Sequence, residues 1–293
     1  MLSTFASPAL ETWFGRRFAA PTDAQRRAWP EIQAGRDLLL SAPTGSGKTL
    51  AAFLVCIDEL LAEAKRGELD DRIRVVYVSP LKALSSDIRR NLEEPLLGIA
   101  ETAAEVGEPR VEIRTALRTG DTNPRARLEI VRRPPHILIT TPESLYLMLT
   151  AERSRELLRG VRTVIVDEIH SLLRDKRGSH LALSLARLDH VAGSRPRRVG
   201  LSATVHPIEL AARFLVGSDA PDPTIVRIDP RRDLDLAIEV PPTDLEAVCP
   251  HSQWKDIYDR LGELIAEHRT TLVFVNTRAR AERIAHHLES RVG

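Results

Sequence analysis

Cysteine, lysine and aromatic residues are all scarce in this chain, and the scarcities narrow what it can be. The two cysteines among 293 residues, Cys56 and Cys249, provide neither a disulfide framework nor metal-ligand spacing, so a reducing, cytoplasmic setting is expected. Aromatics are 4% of the residues, and each belongs first to the core. Lysine occurs only at positions 48, 65, 82, 176 and 255; the remaining positive charge is arginine, read as solvated surface. A net charge of +1 gives no overall electrostatic footprint for nucleic acid, and any such binding must come from local groups. No apolar run reaches membrane-spanning length, and Met1-Leu2-Ser3-Thr4-Phe5 lacks the basic-then-hydrophobic pattern of an export signal.

What is present begins with Ala42-Pro43-Thr44-Gly45-Ser46-Gly47-Lys48-Thr49. The run lies between a strand-like segment, Asp37 to Ser41, and a helix-like one, Leu50 to Leu61, the context that a phosphate-binding loop requires. Its glycines let backbone N–H groups turn inward around phosphate oxygens at a helix N-terminus, where partial positive charge favours anions. Lys48 then reaches the β and γ phosphates of a nucleoside triphosphate, and the Thr49 hydroxyl holds Mg²⁺. The general pattern opens with glycine; here it opens with Ala42.

Asp167-Glu168-Ile169-His170 follows the β-branched stretch Val161 to Val166. That stretch reads as a buried parallel strand, so both carboxylates fall at its carboxyl end, where open α/β sheets bind ligands. Asp167 is expected on the Mg²⁺, and Glu168 as the group that orients and deprotonates the attacking water. The plainer alternative is a pair of acids capping the next helix.

From Asp37 onward, strand-like segments (Ile73 to Val78, Val111 to Leu117, His136 to Thr140, Val161 to Val166, Arg198 to Ser202) alternate with helix-like ones. This is an α/β pattern with a mostly parallel sheet covered on both faces. Prolines 221, 223, 230, 241, 242 and 250 then interrupt two strand-like pieces, Thr224 to Ile228 and Leu234 to Val240. They divide the chain into a first domain, 1–228, a linker, 229–252, and the start of a second domain, 253–293. Within that start, Trp254 to Glu267 reads as helix, Thr271 to Val275 as strand and Arg278 to Leu288 as helix. One strand and two helices do not close a core, so the sequence is expected to belong to a larger protein.

An ordered set of motifs accompanies these elements: Phe18-Ala19-Ala20-Pro21-Thr22 with Gln25, the phosphate loop, Ser79-Pro80-Leu81-Lys82-Ala83-Leu84, Thr119-Gly120-Asp121, Thr140-Thr141-Pro142-Glu143-Ser144-Leu145, Asp167-Glu168-Ile169-His170, Ser202-Ala203-Thr204 and Leu272-Val273-Phe274-Val275-Asn276-Thr277-Arg278. In this order they resemble the superfamily 2 DEAD/DEAH-type helicases over essentially the whole chain. Those helicases commonly open the phosphate loop with alanine, which accounts for Ala42. The DEIH box, the run Lys176-Arg177-Gly178-Ser179-His180-Leu181-Ala182-Leu183-Ser184-Leu185 and the segment after Ser-Ala-Thr are most similar to the large helicase-related (Lhr) family. The resemblance implies a RecA-like domain and the beginning of a second, with ATP and Mg²⁺ as cofactors. It also implies an ATP-dependent motor on single-stranded DNA or RNA, with 3′ to 5′ movement on DNA, RNA:DNA hybrids as further substrates, and a place in DNA repair.

The same resemblance assigns roles by position. Gln25 pairs with the adenine edge, which favours ATP over GTP. Phe18 either stacks near the base or belongs to the core; Trp13 and Trp29 are read as core. His170, Ser202 and Thr204 couple the γ-phosphate site to domain closure, although Ser202 and Thr204 also suit a helix N-cap near Pro207. Pro80, Leu81, Lys82, Thr119, Gly120, Thr141 and Pro142 hold the sugar-phosphate backbone of one strand, contacts that set register without reading sequence. Ordinary turn chemistry explains the same residue types. Asn276, Thr277 and Arg278 supply the matching contact from the second domain. In that family the arginine finger lies in later motifs, beyond Gly293, so slow ATP turnover is expected of this chain alone. The rest of the second domain and a winged helix are expected in the full-length protein.

Two other classes compete with the motor. One is a nucleotide-dependent clamp that binds nucleic acid without productive hydrolysis. The other is a phosphate-loop enzyme such as a small-molecule kinase, against which the DEIH and Ser-Ala-Thr elements argue.

Overall fold

Along the central strands of the first part of the chain, successive apolar residues go to opposite faces. In β1 (Leu38–Ser41), Leu38 and Leu40 join one core and Leu39 the other. The same split separates Val75 and Tyr77 from Val76 and Val78 in β2 (Val75–Val78), and Ile165 from Val164 and Val166 in β5 (Thr163–Val166). A sheet that is apolar on both faces has to be covered on both. One core is closed by α1 (Pro8–Arg17), α2 (Asp23–Gln33), α3 (Lys48–Lys65) and α4 (Glu94–Glu105). The other is closed by α6 (Pro142–Thr150), α8 (Ile169–Leu172), α9 (Lys176–Ala192) and α10 (Ile208–Val216). Two further helices, α5 (Pro124–Arg132) and α7 (Glu152–Leu157), complete this part.

This computed structural model describes residues 4–80, 88–229, 235–242 and 251–292; Leu81 and Lys82, Cys249 and most of the 229–252 linker lie outside the described residues. The chain divides into two compact units, 1–231 and 232–293. With β3 (Thr115–Arg118), β4 (Ile137–Thr140), β6 (Arg197–Ser202) and β7 (Thr224–Arg227), the first unit forms a seven-stranded parallel sheet in the order β3-β4-β2-β5-β6-β1-β7. The expected α/β architecture is present. The reading that began at Asp37 passed over α1 and α2, which carry clear start signals: Ser7 caps α1, and Thr22 with Gln25 forms a capping box on α2.

The second unit contains α11 (His251–Glu267) and α12 (Arg278–Val292), joined through Tyr258, whose ring stacks on His287 at 4.5 Å. Two expectations fail here. Residues 235–240 and Thr271 to Val275 form no strand, and Ile238 and Phe274 are 97% and 88% exposed. A β-branched run becomes a strand only when a neighbour accepts its backbone hydrogen bonds, and no described residue of this unit does so. Among the described residues, no helix is long and apolar enough to cross a membrane.

Candidate functional site

Because β6 lies between β1 and β5, three strand ends open side by side. Ser41 pairs in register with Ser202, and Val166 with Gly200. The phosphate loop, the Asp167-Glu168 pair and the Ser202-Ala203-Thr204 triplet therefore share one edge. Ala42 N–H donates to the Ser202 carbonyl at 3.1 Å, and the Ser41 hydroxyl donates to the Ala203 carbonyl at 3.2 Å.

Within the loop, Gly47 has φ +81°, a backbone conformation that favours glycine, and a Cβ at this position would lie 2.9 Å from Gln25 Nε2. Lys48 is buried, and its Nζ donates to the Ala42 and Pro43 carbonyls at 2.8 and 3.0 Å. Burial pushes its ammonium below the ordinary value, while Asp167 and Glu168 pull it back up. The Ser46 hydroxyl is buried without a hydrogen-bond partner among the described residues.

Asp167 is pinned at both oxygens. Tyr77 donates its hydroxyl to Oδ2, and Glu168 N–H donates to Oδ1 at 2.8 Å. Burial pushes this carboxyl upward against those hydrogen bonds and the nearby Lys48 charge. Glu168 adopts the left-handed conformation, φ 52° and ψ 39°, as the one described non-glycine residue with positive φ. Such backbone strain persists only where the surroundings over-determine it. The Glu168 side chain does not cap α8, so the plain helix-cap explanation fails for it. Instead, its Oε2 lies 3.1 Å from His170 Nε2. Ala203 N–H donates to His170 Nδ1 at 3.2 Å, which assigns the ring proton to Nε2 and makes it a donor to Glu168. The Ser202 hydroxyl is 3.4 Å from the same Nδ1. Thr204 is exposed and stays apart from this chain, and neither Ser202 nor Thr204 caps α10, whose N-cap is Pro207.

Gln25, Thr44, Gly45, Gly47, Lys48, Thr49, Asp167 and Glu168 line one cavity of about 620 Å³. Gln25 Oε1 already accepts from Thr22 N–H at 2.9 Å, leaving one lone pair and the Nε2 hydrogens for a base edge. Phe18 packs against Phe14 and Trp13 and also faces this cavity, so its two readings are compatible. Trp13, read as core, lines the cavity too; its place just before Phe18 and Gln25 was the available signal. Tyr77 was missed because nothing in its strand marks which loop its hydroxyl reaches. A larger open cavity, about 1170 Å³ where α6 and α9 end, contains none of these residues and lies away from the strand carboxyl ends.

A triphosphate with Mg²⁺ fits this chemistry: Gly45 and Gly47 with positive φ, a buried lysine, and Thr49 with Asp167 line the same cavity. Among the described residues no cluster of three or more His, Cys, Asp or Glu side chains could hold a metal. Magnesium commonly takes one or two protein oxygens, with phosphate and water supplying the rest.

The other half of the same edge is formed by β2, β4 and β3, where Val78 and Arg118 both pair with Thr140. Their following loops carry Pro80, Thr141-Pro142 and Thr119-Gly120 side by side. The hydroxyls here also serve local turns: Thr141 caps α6, and Thr119 accepts from Asp121 N–H at 3.3 Å. In the second unit, Thr277 caps α12 and the exposed Arg278 pairs with Glu282 at 3.1 Å.

A parallel sheet with a phosphate loop after β1 and paired acids after β5, one strand away across β6, defines a RecA-like, phosphate-loop nucleotide-binding fold. The DEAD/DEAH box helicase family model matches residues 22–211, and the chain belongs to that family. It is 51% identical over 288 residues to the ATP-dependent helicase Lhr-Core of Methanothermobacter thermautotrophicus, covering 97% of this chain and 33% of that protein. It is 43% identical over 302 residues to the Lhr helicase/uracil glycosylase of Escherichia coli, covering 97% of this chain and 19% of that one. The solved structure of Mycobacterium smegmatis helicase Lhr bound to ssDNA and AMP-PNP superimposes with a TM-score of 0.81 at 47% identity, over 99% of this chain and 36% of that one. The chain thus spans about a third or less of the length of these relatives.

Proposed function

We propose that this chain is the ATP-binding portion of a helicase motor that couples ATP hydrolysis to movement along one strand of DNA or RNA. The observation that carries the reading is the convergence of buried Lys48, doubly pinned Asp167 and strained Glu168 on the phosphate loop. Lys48 engages the β and γ phosphates once they replace the Ala42 and Pro43 carbonyls, and Gln25 meets the adenine. Thr49 and Asp167 hold Mg²⁺, which neutralises phosphate charge when bound. Glu168 orients a water and takes its proton as the water oxygen bonds to the γ phosphorus; the bond to the β-γ bridging oxygen breaks and ADP departs. Through His170, a change at Glu168 reaches Ser202 and Ala203. The loops after β2, β3 and β4, with Leu81, Lys82 and the Asn276-Thr277-Arg278 segment, grip the sugar-phosphate backbone.

ATP turnover with Mg²⁺, with and without single-stranded DNA or RNA, tests this beside Glu168→Gln. Turnover by the chain alone is expected to be slow, stimulated by nucleic acid and lost in Glu168→Gln, with ATP affinity intact. ATP binding that tightens with nucleic acid but shows no turnover supports the clamp instead. Equal activity in the variant removes Glu168 from its role.

A further inference from the structure

The segment Asp175 to His180 takes no part in the ATP chemistry proposed above, yet its backbone is tightly specified. Asp175 caps α9 by accepting from Gly178 N–H at 3.0 Å. A Cβ on Gly178 would lie 1.8 Å from the Leu172 carbonyl oxygen and 2.8 Å from its carbon. These are backbone atoms that cannot swing aside, so α9 must start against the end of α8, the short helix that begins directly after Glu168.

That placement aims Arg177 at a loop and a helix start that are distant in sequence. Its Nε donates to Glu143 Oε1 at 2.6 Å, and its Nη2 donates to the Pro80 carbonyl at 3.1 Å. Glu143 stands in the first turn of α6, next to Thr141 and Pro142, and Pro80 opens the loop after β2. The Arg177 and Glu143 side chains are 43% and 52% exposed, so the pair adds little to global stability. Its geometric consequence is larger: one planar guanidinium, donating in two directions, fixes the spacing between the Pro80 backbone and the first turn of α6, which a lysine point charge cannot do. Burial pushes the Glu143 carboxyl upward, and the hydrogen bond from Arg177, with smaller contributions, brings it below its ordinary value.

We propose that Arg177 is a positioning residue for the nucleic-acid strand, holding the Pro80 backbone against the start of α6 so that the Thr141-Pro142 turn stays aligned with it along one phosphate path. Its own charge is spent on Glu143, and it is not itself a phosphate ligand. The proposal rests on the reading that these loops bind nucleic acid.

The test is binding of fluorescein-labelled oligo(dT) to this chain across a salt series, for wild type, Arg177→Ala, Arg177→Lys, Glu143→Ala, the Arg177→Ala/Glu143→Ala double variant and Thr141→Ala. Loss of the charge-assisted bonds is expected to weaken binding about tenfold in Arg177→Ala, Arg177→Lys and Glu143→Ala, the double variant being no worse than either single alanine change. The salt slope and ATP affinity without nucleic acid stay as in wild type. A slope smaller by about one in Arg177→Ala, with Glu143→Ala neutral or tighter, would make Arg177 a direct phosphate ligand and overturn the proposal. Normal binding by the Arg177 variants beside a weakened Thr141→Ala would overturn it too, leaving the loop reading in place. No binding by wild type would remove the loop reading and the clamp together.

Discussion

The two halves of the sheet edge solve different problems with the same parallel-strand geometry. On the β5-β6-β1 half, charged side chains are drawn inward: Lys48 and Asp167 are buried and Glu168 is strained. On the β3-β4-β2 half, the residues that follow the strands include Pro80, Thr119, Gly120, Thr141 and Pro142, and the Arg177 and Glu143 charges are half exposed and paired with each other. Buried charge suits a small ligand with concentrated charge, because low dielectric strengthens each interaction. A rim of backbone groups and hydroxyls suits a long polyanion that must be held and released along its length without reading its bases.

If that contrast is right, single substitutions separate the halves. Lys48→Ala should have the largest effect, lowering ATP affinity at least about a hundredfold by calorimetric titration, because it removes a charge held in a water-poor site. Unchanged ATP affinity would end the phosphate-loop assignment. Thr141→Ala should cost about 1 kcal/mol in chemical denaturation through loss of the α6 cap, with ATP affinity intact. An ATP defect of the Lys48→Ala size would show that the halves are one site. The smallest effect is expected at Phe274→Ser, within about 0.5 kcal/mol, since an exposed side chain away from packed features contributes little. A loss well above that would show Thr271 to Val275 to be paired in solution.

The halves also differ in how legible they were. Residues of the ATP half are announced by local chemistry: a glycine-rich loop between strand and helix, and acids after a β-branched run. Gln25 was legible as a polar contact but not as a capping-box member whose Oε1 is already engaged. On the other half, Thr119 and Thr141 look like ordinary turn residues in the sequence, and in the structure they do serve turns. Only their adjacency along one edge sets them apart. The strand expected at Thr271 to Val275 failed because β propensity describes fit to a neighbouring strand rather than a backbone preference of the segment itself.

The amino-acid order alone determined the α/β class, the two-faced sheet and the chemistry of the phosphate loop, because continuous apolar strand runs, glycine freedom and strand-end acids act over a few residues. Tertiary structure alone decided that β6 stands between β1 and β5, that Tyr77 pins Asp167, that His170 links Glu168 to Ala203, and that Arg177 bridges Pro80 and the start of α6. Strand order and side-chain reach depend on which distant segments pack together, and such long-range pairing is not encoded in any short window of sequence.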